Sequence, residues 1–194
     1  PQFLEEVLDE IKDNVKEGQI FISIAPGKTL QWLGEHLGEG TKIIRTMPNT
    51  PAMVGEGMTA LCVNEQVTEQ ETLLAVTLCN TFGKTEVIPE RLMDVVVGVS
   101  GSSPAYVFMF LEAMADAAVA DGMPRAQAYK FAAQAVLGSA KLMLETGKHP
   151  GELKDMVCSP AGTTIQAVRV LEEKGLRSAV IEAQMECVKK AKGM

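Results

Sequence analysis

The sequence contains few of the residues from which metal centres and catalytic dyads are usually built. Its two histidines, His36 and His149, lie far apart, which argues against a histidine-rich metal site. Its four cysteines form no Cys-x-x-Cys pair, so we interpret them as free, mostly buried thiols in a reducing compartment. Aromatic residues make up only 5% of the chain, and alanine, methionine, leucine and valine carry most of the apolar volume. This composition favours packed helices with some buried strands.

Basic patches and long apolar runs are also missing. The net charge of −7 argues against nucleic acid and anionic membranes as partners. The apolar runs are too short, and too often interrupted by charge, to indicate a membrane span, and no secretory signal opens the sequence. We therefore expect a cytoplasmic protein. The sequence begins Pro-Gln-Phe, without Met and directly in a helical pattern, which suggests a piece of a longer chain.

The first half of the sequence alternates between helical and strand patterns. Helical patterns cover residues 4–16, 29–37 and 68–82, and strand patterns cover residues 20–24, 42–47, 59–64 and 84–88. Such an alternation with short loops predicts a doubly wound α/β sheet. Because the alternation starts in mid-pattern, we expect the first part of this domain to be absent.

From Ser102 onward the pattern is entirely helical. Two long Ala-rich helices meet at residues 122–124, and shorter helices follow over about 150–157, 164–174 and 177–191. The sequence therefore predicts an α/β domain over 1–95 and an all-α domain over 96–194. The first long helix carries apolar residues on more than one face, among them Val107, Phe108, Phe110 and Met114. A helix of this kind must be enclosed by others, so we expect a second subunit to cover it.

Two turns follow predicted strands. Ala25 and Pro26 come after the first strand, and Asn49, in "MPNTP", comes after the second. In open α/β sheets ligands bind beyond the carboxyl ends of strands. A plain strand-to-helix turn explains Ala25 and Pro26 equally well, and from the residues alone an Asx-turn is the favoured interpretation of Asn49. "APGKT" is not a phosphate-binding P-loop, because Ile22 occupies the position of the first required glycine.

The segment "VCSPAGTTIQ", residues 157–166, introduces a helix with many small and hydroxylic residues. A helix start offers unpaired N–H groups and partial positive charge, so it attracts anions. Gly162, Thr163 and Thr164 could supply N–H groups, and Ser159 and Thr164 could add hydroxyls. The simpler interpretation is a single capping hydroxyl. Cys158 is interpreted as a buried small residue, because no histidine lies where it could act as a base.

The sequence presents no nucleophile–base pair, metal cluster or acid–base dyad. Two classes of protein remain: a binding or assembly module, and an enzyme whose difficult chemistry belongs to a cofactor.

The motifs together resemble a known family. "ELKDMVCSPAGTTIQAVRVLE" is similar to the signature of the pyrroline-5-carboxylate reductases, and "MPNTPAMVGEG", "SGSSPAY" and "HPGELKD" stand in the order of that family. The resemblance implies a Rossmann-type NAD(P)-binding domain, here without its amino-terminal part, followed by a helical domain for dimerisation and substrate binding. It also implies a homodimer that often assembles into a decamer. Ser103, Pro26 and Met156 depart from the residues usual in the family.

The resemblance implies a role for each candidate site residue. Pro1, Ala25, Pro26 and Asn49 would lie along the cofactor, either NADPH or NADH. Ser159, Gly162, Thr163 and Thr164 would hold the substrate carboxylate, and the Thr164 hydroxyl would approach the ring nitrogen as the catalytic group.

The reaction implied is hydride transfer to pyrroline-5-carboxylate, giving proline in the last step of its biosynthesis. Because the glycine-rich cofactor fingerprint is absent, we expect the chain alone to bind the cofactor poorly and to be inactive. Two alternatives are another NAD(P)-dependent imine or hydroxyacid reductase of the same architecture and a non-catalytic assembly module.

Overall fold

The computed structural model describes residues 3–16 and 18–193. The strands are β1 (Ile20–Ser23), β2 (Lys42–Met47), β3 (Gly57–Val63) and β4 (Gly83–Val87). The α-helices are α1 (Leu4–Ile11), α2 (Leu30–Leu37), α3 (Glu69–Cys79), α4 (Met93–Val96), α5 (Ser103–Ala120), α6 (Arg125–Thr146), α7 (Pro150–Val157), α8 (Thr163–Glu173) and α9 (Leu176–Lys192). Short 3-10 segments lie at Lys12–Asn14, Thr50–Val54, Asn80–Phe82 and Glu90–Leu92, and a π-helix covers Val97–Gly101.

The strands form one sheet in the order β1-β2-β3-β4. β1 pairs with β2 in parallel, and β3 pairs with β4 in parallel, each pair being joined by a helix. β2 and β3 are antiparallel, which the strand pattern did not predict. The reason is the short connection between them, residues 48–56, which has no room for the crossover that a parallel pair requires.

Helices cover both faces of the sheet, as predicted for a Rossmann-type domain. Neighbouring residues of β2 point to opposite faces, so Ile43 packs with Leu33 and Leu37 of α2, whereas Ile44 packs with Ala75 of α3. A third cluster, on the Ile43 face, joins Met47, Ala60, Cys62 and Met93. This last cluster fixes the start of the long helical stretch against the sheet.

The chain divides into two compact units. The first runs up to Pro104 and includes the chain again from Ala183, so that the end of α9 belongs with the sheet. Gly98 permits this return, because a Cβ there would come within 2.9 Å of the side chains of Gln184 and Val188. The Ser102 hydroxyl lies 3.0 Å from the Cys187 sulfur in the same region.

The segment "SGSSPAY" joins a π-helix to the first long helix, α5. The π-helix over Val97–Gly101 leads into α5, and the amide of Ser102 donates to the carbonyl of Val97 at 2.8 Å. The Ser102 side chain contacts Cys187.

The second unit, residues 105–182, exposes much of its apolar surface. Its buried residues are the small side chains Ala115, Ala128 and Ala132. By contrast, Phe108 is 65% exposed and Phe131 is 68% exposed. Side chains of this size are rarely left in water, so these helices have the surface expected of an intersubunit contact.

The apolar character of α5 also bears on the prediction that the sequence has no segment able to span a membrane. The helical stretch Glu90–Ala120 is long and apolar enough to cross a membrane by length and composition, so the expectation that no segment has this character was wrong. The sequence suggested a helix boundary at Ser102, whereas the π-helix makes the stretch nearly continuous. Two shorter apolar segments thereby become a single long one.

Candidate active site

The amino terminus of α8 presents open hydrogen-bond donors. Gly162 occupies the N-cap position with extended backbone, φ −74° and ψ 169°, and no side chain caps the helix. The Gly162 amide donates to the carbonyl of Ser159 at 3.0 Å. Within the described part of the chain, no acceptor takes the amides of Thr163 and Thr164. The capping interpretation of this segment was therefore wrong, and the helix start keeps its unpaired N–H groups.

The hydroxyl groups of this segment are also available. No described residue hydrogen-bonds to the side chains of Ser159, Thr163 or Thr164; the first two are exposed and Thr164 is half-buried. The segment thus combines donors from backbone and side chain with the positive end of a helix, an arrangement that suits a small carboxylate.

The turn before α8 has a constrained backbone. Ala161 adopts φ 57°, a left-handed conformation that costs an L-residue about 1–2 kcal/mol. At Gly162 a Cβ would overlap the Ser159 hydroxyl and lie 3.1 Å from the Ser159 carbonyl oxygen. Gly162 is therefore required for the close approach of Ser159, and Ala161 reverses the chain so that the helix amides follow directly.

His149 and Cys158 lie near this turn in sequence and are of residue types used in nucleophilic catalysis, but the two are not arranged as a nucleophile and its base. His149 is the N-cap of α7, and its Nδ1 accepts the amide of Gly151 at 3.0 Å. Cys158 is a free, half-buried thiol at the carboxyl end of α7. Elsewhere, burial and the nearby Glu90 carboxylate raise the pKa of the Cys62 thiol to about 11, so it stays protonated at neutral pH.

The turn after β1 leads directly into α2. Ala25 and Pro26 are half-buried, and the Ala25 amide donates to the Ser23 hydroxyl at 3.3 Å. Thr29 caps α2 by accepting the amide of Trp32. Pro1, also predicted to lie along the cofactor, falls outside the described residues.

Asn49, after β2, forms two long-range hydrogen bonds. Its Nδ2 donates to the carbonyl of Ser100 at 3.0 Å, and its Oδ1 accepts the amide of Met58 at 2.8 Å. No Asx-turn or cap is formed by this side chain, so that local interpretation was wrong. Asn49 instead ties its loop to β3 and to the π-helix.

A buried arginine was missed by the sequence reasoning. Arg45, in the middle of β2, is 2% exposed and pairs with Glu90 at 3.1 Å and Asp94 at 3.4 Å. The signal was available in "KIIRTM", because a charged residue inside a buried strand must find a partner. Within residues 3–16 and 18–193, no group of three or more His, Cys, Asp and Glu side chains is arranged to hold a metal ion.

Comparison with known proteins decides the family. The dimerisation domain of pyrroline-5-carboxylate reductases matches residues 90–194. The pyrroline-5-carboxylate reductase of Escherichia coli strain K12 is 61% identical over 191 residues, which cover 98% of this chain and 71% of that relative. The chain belongs to the pyrroline-5-carboxylate reductase family. The family predicted from the motifs is thus confirmed.

Solved pyrroline-5-carboxylate reductases share the fold. That of Streptococcus pyogenes superposes with a TM-score of 0.91 at 36% identity, covering 100% of this chain and 73% of the other. That of Plasmodium falciparum, with NADP bound, gives a TM-score of 0.93 at 32% identity and covers 100% of this chain and 77% of the other. The predicted architecture, a Rossmann-type part followed by helices, is confirmed, and the dimerisation match supports oligomerisation through the helical part.

Proposed function

We propose that this pyrroline-5-carboxylate reductase reduces 1-pyrroline-5-carboxylate to L-proline with NADPH or NADH, completing proline biosynthesis. The observation that carries the proposal is the uncapped start of α8, where the amides of Thr163 and Thr164 and three hydroxyls have no partner in the described chain. In a chain of this family such a site suits the carboxylate of a small cyclic imino acid.

The substrate side of the site binds and orients. The amides of Thr163 and Thr164 and the Ser159 hydroxyl hold the carboxylate, each charge-assisted hydrogen bond contributing about 1.5–3 kcal/mol. Gly162, whose own amide donates to the Ser159 carbonyl, lets Ser159 come close to the helix start. The half-buried Thr164 hydroxyl hydrogen-bonds to the ring nitrogen. With the carboxylate fixed at the helix start and the nitrogen at Thr164, the substrate ring is held at two points.

The reduction needs little acid–base chemistry from the protein. A protonated imine already carries positive charge, so addition of a hydride to its carbon moves the C=N π electrons onto nitrogen and yields a neutral amine. The bound nicotinamide supplies that hydride. Orientation supplies most of the remaining rate, in agreement with a site that has hydroxyls and amides but no base.

The nicotinamide end of the cofactor fits the turn after β1. We assign Ala25 and Pro26 to it, because both are small and half-buried at the carboxyl end of a strand. Asn49 is assigned to the same side, and its two hydrogen bonds leave one amide hydrogen and one lone pair of Oδ1 for a ligand. Pro1 keeps its assignment by family resemblance alone. The sequence holds no glycine-rich fingerprint for the diphosphate.

The same proposal covers organisation and location. We assign residues 1–95 to the cofactor domain and residues 96–194 to the dimerisation and substrate domain. The exposed faces of α5 and α6 are proposed to form a homodimer, which assembles further into a decamer, in the cytoplasm. A mass measurement by light scattering checks the assembly: a monomer would contradict the dimer, and a dimer alone would contradict the decamer.

The activity is tested with two proteins. One is this chain, and the other, the extended chain, joins it to the part of the Escherichia coli relative that it does not match. We expect the extended chain to oxidise NADPH or NADH only when pyrroline-5-carboxylate is present, with one proline formed per cofactor oxidised. This chain alone is expected to show little turnover. Absence of turnover in the extended chain, or faster turnover with another imine or a ketoacid, would contradict the proposal.

A further inference from the structure

A carboxylate from a distant part of the chain lies at the start of α2. Glu90 Oε1 accepts the backbone amide of Leu30, the first residue of α2, at 2.6 Å. The two residues are 60 positions apart. A negative charge at a helix start is stabilising, because it meets the unpaired amides and the positive end of the helix dipole.

Glu90 is itself held in place by Arg45. Its Oε1 also accepts from Arg45 Nη1 at 3.1 Å, and the Arg45 side chain is only 2% exposed. A buried guanidinium is planar and restricted, so it fixes both the charge and the position of the carboxylate that it contacts. Strand β2 thereby sets the position of Glu90, and Glu90 sets the position of the first turn of α2.

The turn that precedes α2 has few other anchors. Between β1 and α2 the hydrogen bonds of the turn are local ones: the Ala25 amide to the Ser23 hydroxyl, and the amides of Trp32 and Leu33 to the Thr29 hydroxyl and carbonyl. Gly27, at the centre of the turn, has φ 77°, in the left-handed region that favours glycine. The Glu90–Leu30 bond therefore connects this turn to residues outside its own strand and helix.

We propose that Glu90 is a positioning residue for the turn over residues 25–29, which it holds in the shape that receives the nicotinamide. The proposal rests on the assignment of Ala25 and Pro26 to the cofactor. Glu90 touches neither cofactor nor substrate; it acts by fixing the amide of Leu30. Because Glu90 also begins the stretch matched by the dimerisation domain, the contact ties the cofactor turn to the root of that domain.

Asp94 provides a matched control. It accepts from Arg45 Nη2 at 3.4 Å and makes no hydrogen bond to α2. Glu90→Ala and Asp94→Ala therefore each remove one carboxylate from Arg45, but only Glu90→Ala removes the anchor of α2. If Glu90 only neutralised the charge of Arg45, Glu90→Ala and Asp94→Ala would have similar effects.

The first experiment measures amide hydrogen exchange in this chain without cofactor. We expect Glu90→Ala to accelerate exchange of the Leu30 amide at least tenfold, because the loss of a charge-assisted hydrogen bond changes the opening equilibrium by about that factor. Asp94→Ala is expected to leave the exchange rate of that amide within about twofold of the rate in the unmodified chain. Glu90→Gln keeps an acceptor oxygen and is expected to restore part of the protection. Equal acceleration in Glu90→Ala and Asp94→Ala would overturn the proposal.

The second experiment measures kinetics in the extended chain. Glu90→Ala is expected to raise KM for NADPH about tenfold, with kcat and the KM for pyrroline-5-carboxylate changing less than twofold. Asp94→Ala is expected to leave all three constants within twofold. If Glu90→Ala does not fold, Glu90→Leu and Asp94→Leu, which remove the acceptor oxygens and keep most of the side-chain volume, provide the same comparison. An unchanged KM for NADPH in a folded Glu90 variant would overturn the proposal, whereas failure of the proposed function would appear as absence of turnover in the unmodified extended chain.

Discussion

Gly162 provides a sharp test of how the start of α8 holds the substrate. Its backbone lies in an extended region open to any residue, so Gly162→Ala introduces no backbone strain. The added Cβ would overlap the Ser159 hydroxyl, whereas its contact with the Ser159 carbonyl, at 3.1 Å, is only tight. The expected structural change is therefore a rotation of the Ser159 side chain away from the helix start.

The magnitude follows from the loss of one hydrogen bond to a charged ligand. Such a bond contributes about 1.5–3 kcal/mol, which corresponds to a rise of about 10- to 100-fold in KM for pyrroline-5-carboxylate. Steady-state kinetics on the extended chain measure this change. KM for NADPH and the midpoint of thermal unfolding are expected to stay close to those of the unmodified protein.

The double variant Ser159→Ala/Gly162→Ala shows whether the effect passes through Ser159. With the hydroxyl removed, the methyl group at residue 162 has nothing to displace, so the double variant should resemble Ser159→Ala. Additive effects of the two substitutions, or an unchanged KM in Gly162→Ala, would refute the reasoning.

Four further predictions concern kinetics and stability. Thr164→Ala is expected to lower kcat about tenfold while the fold is kept, and Thr164→Ser to restore most of it; unchanged kinetics would remove Thr164 from the mechanism. Ala161→Gly should raise the free energy of unfolding in urea by about 0.5–1 kcal/mol, because relief of the left-handed strain exceeds the added entropy of the unfolded chain. Gly147→Ala, at φ 63° with open space for a Cβ, should lower the free energy of unfolding by about 1 kcal/mol. A change of the same sign in Ala161→Gly and Gly147→Ala would contradict the argument from left-handed strain. The Lys42 ammonium and the amide of Thr68 lower the pKa of Glu71 to about 2. The contribution of Glu71 to stability is therefore full above pH 4.5 and is lost as the pH falls toward 2. Urea unfolding of Glu71→Gln at a series of pH values should lack this part of the loss of stability at low pH.

The strands and helices could be predicted because their periodicity is local. The pattern over residues 42–47 matches β2 at both ends, and the pattern over 150–157 matches α7. The strand pattern itself does not give the reversal of β3 relative to β2. The length of the connection does, because residues 48–56 are too few for the crossover that a parallel pair requires.

The candidate site was only partly predictable. The uncapped start of α8 was visible as a run of small and hydroxylic residues, but whether Ser159 or Thr163 caps the helix depends on side-chain rotamers that composition does not set. The two bonds of Asn49 to Ser100 and Met58 join residues distant in sequence. Glu90 at the amide of Leu30 is a contact of the same kind and needs the tertiary structure to be seen.

The most direct test of the central claim is a crystal structure of the extended chain with L-proline and oxidised cofactor. The proline carboxylate is expected to accept hydrogen bonds from the amides of Thr163 and Thr164 and from the Ser159 hydroxyl, and the ring nitrogen is expected to lie within hydrogen-bond distance of the Thr164 hydroxyl. A proline bound with its carboxylate away from the start of α8, or with its nitrogen out of reach of Thr164, would contradict it.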